Sequence, residues 1–582
     1  MSDAFTTIDA EAAEVARLTA LLPKPRRAPR PIGLPLVDVR NLQVRFGEHG
    51  TPIIRGINLA LHRGECLALV GESGSGKSVT ARTLVGLAGV GARISADTLT
   101  FADHDLRALN ERRWRELRGS RIGFVMQDAL GSLDPLRTVG AEIAESLRLH
   151  TALKRDQRAT KVIDLLRSVG VSEPEIRAQQ YPHQLSGGMR QRALIASAIA
   201  CGPELLIADE PTTALDAAVQ MQVLDLLESL RTTQNAMIVV SHDFAVVSHL
   251  ADSVAVMHRG VIVEQGPIEA VLRNPQHPYT RSLLDAVKSV HVRGFGKPGR
   301  SAHSTTKSAP APSPPVLSAD GMTKAFNGPD GKKRTAVSNV SFDLHAGETI
   351  GIVGESGSGK TTTIRIILGL EKADAGIVRI KGRDWQTLSH DEQRRTRRRM
   401  QVVFQDPLGS FDPRYTVERV LKEAIQVAQL AVNENTPTAN SSHQRALELL
   451  ELVRLDPSVL PRRPVEMSGG QRQRLAIARA LAARPEILVC DEPVSALDVS
   501  VQKQILDLLA DLKTRLHLAC LFISHDLGVI QRISDRVLVM KDGAVIESGD
   551  VGEIFANPRQ PYTQTLLSAI PFPEFLGNAI DI

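Results

Sequence analysis

The pattern G-x-x-x-x-G-K-[ST] occurs twice in this chain, as Gly71-Glu-Ser-Gly-Ser-Gly-Lys77-Ser78 and Gly354-Glu-Ser-Gly-Ser-Gly-Lys360-Thr361. Few short patterns restrict local structure so tightly. The glycines let the backbone curl until successive N–H groups face one point, just where a helix begins, and that concavity cradles phosphate. An apolar run of strand character precedes each copy (Leu67 to Val70, Ile350 to Val353) and a helix-compatible stretch follows, so each copy predicts a strand–loop–helix unit. In such a unit Gly71, Ser73, Gly74, Ser75 and Gly76, and again Gly354, Ser356, Gly357, Ser358 and Gly359, form the cradle. Lys77 and Lys360 reach the β- and γ-phosphates, Ser78 and Thr361 are placed for Mg²⁺, and Val79 and Thr362 continue the first helical turn. Two copies in the same context predict a tandem nucleotide hydrolase.

The cradles belong to a direct repeat. Lys77 and Lys360 stand 283 positions apart, as do His242 and His525, whereas Glu210 and Glu492 are 282 apart and Gln127 and Gln405 are 278 apart. Register is kept at both ends of each half and slips in the middle, so small insertions are expected in surface segments between fixed elements. The polar stretch Val432 to Ser442 reads as one such loop. The boundaries follow: a loose tail over 1–34, a first domain over 35–290, a Pro/Ser/Ala-rich linker over 291–315, a second domain over 316–572 and a C-terminal tail over 573–582. Strands and helices alternate within each half, which predicts an α/β fold with a largely parallel sheet. Each half closes with a strand pair, and Asp542-Gly543 is a good hairpin turn.

A second constellation recurs at matching spacing. Leu205-Leu-Ile-Ala-Asp209-Glu210 and Ile487-Leu-Val-Cys-Asp491-Glu492 are apolar strands ending in two carboxylates. Asp209 and Asp491 are placed to hold Mg²⁺, and Glu210 and Glu492 to act as general base or to orient the attacking water. Upstream, at one distance in both halves, lie Ser186-Gly187-Gly188 and Ser468-Gly469-Gly470. Alone, either would read as a turn capping a helix.

At this point the chain resembles the ATP-binding-cassette (ABC) ATPases, whose signature is LSGGQ. The resemblance implies two tandem nucleotide-binding domains, each with a P-loop parallel-sheet core, an antiparallel β subdomain and a helical signature subdomain. It implies that Ser186, Gly187 and Gly188, and likewise Ser468, Gly469 and Gly470, clamp the γ-phosphate of ATP held by the opposite half, so that Lys77 works with Ser468 and Lys360 with Ser186. It also implies roles for Gln127 and Gln405 (Q-loop, touching Mg²⁺, water and the membrane partner), for His242 and His525 (contact to the γ-phosphate), and for Phe46 and Phe326 (stacking on adenine, with core packing the alternative for either ring). Ala214-Leu-Asp216 and Ala496-Leu-Asp498 match the D-loop. Met189 stands for the last signature Gln and Met467 for the first Leu, and both signatures are expected to work. No difference in the sequence marks one site as degenerate.

Each half ends in a shared tail, Asn274-Pro-Gln-His-Pro-Tyr279-Thr-Arg-Ser-Leu-Leu284 and Asn557-Pro-Arg-Gln-Pro-Tyr562-Thr-Gln-Thr-Leu-Leu567. This ending is similar to that of the dipeptide/oligopeptide importer ATPases, a group that also serves nickel, metallophores and glutathione. The chain then looks like two such subunits fused. The resemblance implies two membrane-spanning permeases and an extracytoplasmic solute-binding protein as partners, a peripheral place on the cytoplasmic face of the inner (plasma) membrane, and at most two ATP per cycle. Some relatives carry a cysteine cluster for an iron–sulfur centre; Cys66, Cys201, Cys490 and Cys520 are isolated here, so buried free thiols and no cluster are expected.

A competing class is the soluble tandem ATPase acting on ribosomes or nucleic acid. Aromatic residues make up only 3% of the chain, which offers little base-stacking surface, and the net charge of +5 is mild. The basic run Arg394 to Arg399 reads as a solvated helix face, so no direct nucleic-acid contact is expected. No apolar run reaches the roughly 18 residues that span a bilayer. The acidic N-terminus lacks the basic-then-apolar order of a signal peptide, so a cytoplasmic chain is expected.

Overall fold

Each phosphate loop leaves the inner part of a six-stranded sheet. The computed structural model describes residues 33–48, 50–213, 215–291, 314–327, 333–430, 439–495 and 497–568. In the first half the strands lie in the order Val261–Pro267, Ser253–His258, Cys66–Val70, Ala236–Ser241, Leu205–Asp209, Ile122–Val125. All are parallel except the first, which closes a hairpin on its neighbour. The second half repeats the order with Ala544–Asp550, Arg536–Lys541, Thr349–Val353, Ala519–Ile523, Ile487–Asp491 and Met400–Val403. The expected turn at Asp542-Gly543 forms with φ of 47° and 83°, and Arg259-Gly260 does the same with 47° and 85°. Positive φ at both central residues is what a two-residue hairpin of matching twist demands.

The strand Cys66–Val70 is buried along its whole length because both its faces are covered. Successive side chains point to opposite faces. Cys66, Ala68 and Val70 enter a core of helices, and Leu67 and Leu69 enter a second core against the antiparallel sheet Ile54–Leu61, Val37–Phe46, Thr98–Phe101 and His104–Asp105. Burying a side chain such as Leu67 or Ile238 stabilises the fold by about 1.5–3 kcal/mol. The second half has its own antiparallel sheet, with Leu317–Asn327 between Lys333–Leu344 and Ala375–Ile380. On the helical side, Val139–His150 and Arg155–Ser168 pack on the helix Gly187–Ile199, and Val417–Leu430 and Ala439–Leu452 pack on Gly469–Leu481.

The helical cores of the two halves are one continuous cluster. Its bridge is the helix Pro278–His291, which leaves the first half and packs on Val499–Leu516 and Leu527–Ile533 of the second. Among the described residues no helix is long and apolar enough to cross a membrane. The basic run lies on the helix His390–Arg399, which buries no side chain, in line with a solvated face.

One expectation needs correction. The polar stretch read as a loop over 432–442 is in part helical: Ala439 to Ser442 opens the helix Ala439–Leu452. That helix is driven from its far side, where Ala446, Leu449 and Leu450 are fully buried at helical spacing, and its polar start is carried along. Residues 431–438 lie outside the described residues, as do nearly all of the expected tails (1–34, 573–582) and linker (291–315).

Candidate active sites

Gly76 and Gly359 sit at the start of the helices Lys77–Leu84 and Lys360–Ile367 with φ of 106° and 98°. Only glycine takes this conformation at little cost, and here space is short as well. A Cβ on Gly359 would lie 2.2 Å from the Ala336 carbonyl oxygen; one on Gly76 would lie 2.5 Å from Ile54 Cδ1. The first N–H groups of each helix have no partner within the helix and face the cradle. Lys77 Nζ folds over the loop and donates to the carbonyls of Gly71 (2.7 Å) and Glu72 (3.0 Å); Lys360 does the same to Gly354 (2.7 Å) and Glu355 (2.9 Å). Burial lowers the pKa of both ammonium groups, against the opposing pull of nearby carboxylates.

Above the first loop opens a cleft of about 540 Å³ that takes in Ser73, Gly74, Gly76, Lys77, Ser78, Val79, Gln127 and Glu210. It also takes in Ile53, Arg55 and Arg259, which no motif singled out. Phe46 is not among its lining residues; the ring is partly buried against the antiparallel-sheet core beside Gly89. Phe326 is 42% exposed, with the Lys324 ammonium 5.4 Å from its centre. The strand-to-hairpin contact that carries Arg55 (N–H to Gly260 O, 2.8 Å) recurs in the second half as Ser338 to Gly543 O, also 2.8 Å. Ser338 and Asp542 therefore stand where the first cleft has Arg55 and Arg259.

Ser78 Oγ donates to Asp209 Oδ1 at 2.9 Å. The other Asp209 oxygen is buried without a partner, and so are Ser75 Oγ and the matching Ser358 Oγ. Orphaned buried oxygens in one cradle mark the place of a missing ligand group. Burial raises the pKa of Asp209 and of Asp491, with the adjacent glutamate adding to it. Thr361 and Thr362 open the second helix as Ser78 and Val79 open the first.

Glu210 and Glu492 follow directly, both in the left-handed region (φ 50° and 46°) that non-glycine residues seldom occupy. The turn brings each carboxylate into a triangle. Gln127 Nε2 donates to Glu210 Oε2 at 2.7 Å and Gln405 Nε2 to Glu492 Oε2 at 3.0 Å. His242 Nδ1 is 3.5 Å from Glu210 Oε1, and His525 Nδ1 is 3.2 Å from Glu492 Oε2. Thr213 Oγ1 adds a bond to the Glu210 carboxylate (3.0 Å), whereas Ser495 Oγ bonds the backbone carbonyl of Glu492 (3.1 Å). Burial works against ionisation of both glutamates, yet the histidine hydrogen bond and charge outweigh it and hold both carboxyls below the usual range. Burial also disfavours the imidazolium, and the glutamate outweighs it in turn, so both histidine pKa values are raised.

The pH behaviour follows from those signs. The depressed glutamates stabilise the fold above the ordinary carboxylate pKa, a contribution lost as pH falls through their folded values. The raised histidines stabilise it below the ordinary histidine pKa, a contribution lost as pH rises through theirs. In His242→Gln, His525→Gln the acid limb of the activity profile is expected to move to higher pH, because the glutamates regain a higher pKa. An unmoved acid limb would mean that the pair does not control the carboxylate.

The two halves meet head to tail. Asp498 Oδ1 accepts from Ser73 Oγ of the first loop (3.2 Å), and Asp216 Oδ2 accepts from the Ser356 N–H of the second (3.3 Å). Next to each aspartate stands a signature. A Cβ on Gly187 would lie 3.7 Å from Leu215 Cδ2, and one on Gly469 would lie 3.2 Å from Leu497 Cδ2. Gly188 and Gly470 bring the signature helices so close to Val219 and Val501 that a Cβ would come within 2.5 Å of a methyl. Ser186 and Ser468 are exposed at the starts of these helices, each hydroxyl accepting the N–H three residues on (3.3 Å). Gln471 also closes a capping box on Ser468, which Met189 does not do for Ser186.

The ABC transporter family matches residues 54–213 and 337–495. The chain belongs to the ABC transporter family. The oligopeptide/dipeptide transporter C-terminal region matches 263–307 and 546–577, behind each ABC cassette. The peptidoglycan transport ATP-binding protein YejF of Agrobacterium fabrum is 43% identical over 92% of this chain and 96% of its own length. The glutathione import ATP-binding protein GsiA of Escherichia coli is 41% identical over 93% of this chain and 90% of its own. The chain is accordingly an ABC ATPase with two fused cassettes.

Proposed function

We propose that this chain powers the import of peptides or related small solutes through two composite ATP sites, each made from the phosphate loop of one half and the signature of the other. The reciprocal contacts Ser73–Asp498 and Ser356–Asp216 carry this reading, because they set each loop beside the opposite signature. In each site the lysine and the loop amides hold the β- and γ-phosphates. Glu210 and Glu492, ionised and oriented by glutamine and histidine, take the proton of the attacking water. The signature serine and the helix N-terminus behind it close over the γ-phosphate and stabilise the charge that develops there. Ser78 with Asp209, and Thr361 with Asp491, with Gln127 and Gln405 beside them, fit a Mg²⁺ ion: the donors are hard oxygens and one of them is orphaned. That ion would neutralise charge on the β- and γ-phosphates.

The tail behind each cassette favours an importer of the peptide class over a soluble ATPase. The partners are then two integral-membrane permeases docked near Gln127 and Gln405, with an extracytoplasmic solute-binding protein, and the chain works at the cytoplasmic face of the inner membrane. A tagged Glu210→Gln, Glu492→Gln chain, captured from detergent-solubilised membranes with ATP present, is expected to bring down two multi-span proteins. Recovery of ribosomes or DNA-repair proteins without a permease would overturn the importer reading.

A further inference from the structure

The tail segment reaches back to the phosphate loop of its own half. The Glu72 N–H donates to the Tyr279 hydroxyl at 3.2 Å, and the Glu355 N–H donates to the Tyr562 hydroxyl at 3.0 Å. Glu72 and Glu355 are the second residues of the two cradles, and their carbonyls, with those of Gly71 and Gly354, receive Lys77 and Lys360. The tyrosines are themselves held in place. The ring of Tyr279 lies 3.9 Å from that of His258, and the Lys541 ammonium lies 4.9 Å over the ring of Tyr562. Before each tyrosine the tail is clamped by one carboxylate: Glu264 accepts the N–H groups of Gln276 (2.7 Å) and His277 (3.1 Å), and Glu547 those of Arg559 (2.8 Å) and Gln560 (3.2 Å). Burial pushes both hydroxyls up to about 12, so they stay neutral and keep a lone pair for the amide.

The same loop residue is also gripped from the other half. The Glu72 carboxylate accepts from Ser500 Oγ, and the helix that carries Tyr279 packs on the helix that carries Ser500. Arg532 of the second half further bonds the carbonyl of Ser289, near the end of the Tyr279 helix.

We propose that Tyr279 and Tyr562 are positioning residues for the phosphate loops, so that each tail sets the affinity of its cradle for ATP. The amide of the second loop residue is held by the tyrosine, its carbonyl accepts the Ser75 or Ser358 N–H, and the amides left for phosphate are those of the helix start behind the loop. Without the hydroxyl that N–H loses its acceptor, the peptide is held through its carbonyl by the lysine but no longer through its N–H, and the alignment of the following amides loosens. The inference rests on the reading of the cradles as ATP sites.

The test uses the full chain with Tyr279→Phe, Tyr562→Phe and the double variant, since phenylalanine keeps the ring and removes only the acceptor. Titration with the fluorescent analogue mant-ATP is expected to show affinity weakened about tenfold in the double variant, the scale of one amide left without its acceptor. KM for ATP rises in parallel and kcat stays within about twofold. The melting midpoint of the nucleotide-free chain stays within about 2 °C of wild type. Unchanged affinity, or a lowered midpoint with unchanged affinity, would overturn the positioning role. If Lys77→Ala, Lys360→Ala bound mant-ATP as well as wild type, the reading of the cradles as ATP sites would fail instead.

Discussion

The Glu210→Gln, Glu492→Gln chain is expected to bind ATP as wild type does and to hydrolyse it about a thousandfold more slowly, the loss typical of removing a general base. The amide is nearly the shape of the carboxylate and still meets Gln127 and His242, or Gln405 and His525, but it takes no proton. The strained backbone at both positions argues that the carboxylate is what the turn exists to present. Because the two triangles are alike, with glutamine at 2.7 and 3.0 Å and histidine at 3.5 and 3.2 Å, either single variant is expected to remove most of the turnover of its own site. Phosphate release by the double variant, measured against wild type at saturating ATP, decides the matter. Turnover above a tenth of wild type would remove both glutamates from the role of base.

The second large effect is unequal between the halves. Gly359→Ala sets a Cβ in the left-handed region and 2.2 Å from the Ala336 carbonyl oxygen, which is main chain and cannot swing aside. Gly76→Ala meets the same strain, but its neighbour at 2.5 Å is Ile54 Cδ1, the far end of a flexible side chain. Strain of this kind costs roughly 1–3 kcal/mol, and the carbonyl clash adds to it in the second half alone. Gly359→Ala is therefore expected to weaken mant-ATP binding at its site by more than a hundredfold, and Gly76→Ala by about ten- to thirtyfold. Equal losses would mean that strain alone matters and that the Ala336 contact relaxes freely.

Most of the framework could be read from residue types because the chemistry leaves little freedom. A cradle followed by Lys and a hydroxyl, a strand ending in two acids and a Ser-Gly-Gly helix start each require one local geometry, and each occurs twice. Other features depended on distant chain. Arg55 and Arg259 sit on the antiparallel-sheet strand and the hairpin turn, and nothing local shows that these elements converge on a cleft. Phe46 reads as an adenine platform by position alone, yet its ring is half taken up by packing. The helical start at Ala439 to Ser442 was hidden because its polar residues are scored as loop while buried leucines further on decide the helix. The tyrosine contacts were hidden too, although Glu72 to Tyr279 and Glu355 to Tyr562 share a sequence separation of 207. A repeated separation across two halves is a usable signal only once the partner residue is known.

The pairing of each loop with the opposite signature is the central claim, and it is tested by counting ATP trapped per Glu210→Gln, Glu492→Gln chain with further substitutions. Lys77→Ala with Ser468→Arg strikes one composite site twice, so the pair is expected to trap as much ATP as either change alone. Lys77→Ala with Ser186→Arg strikes both sites and is expected to trap none. The reverse pattern would mean that each half closes on its own signature and would contradict the head-to-tail assembly.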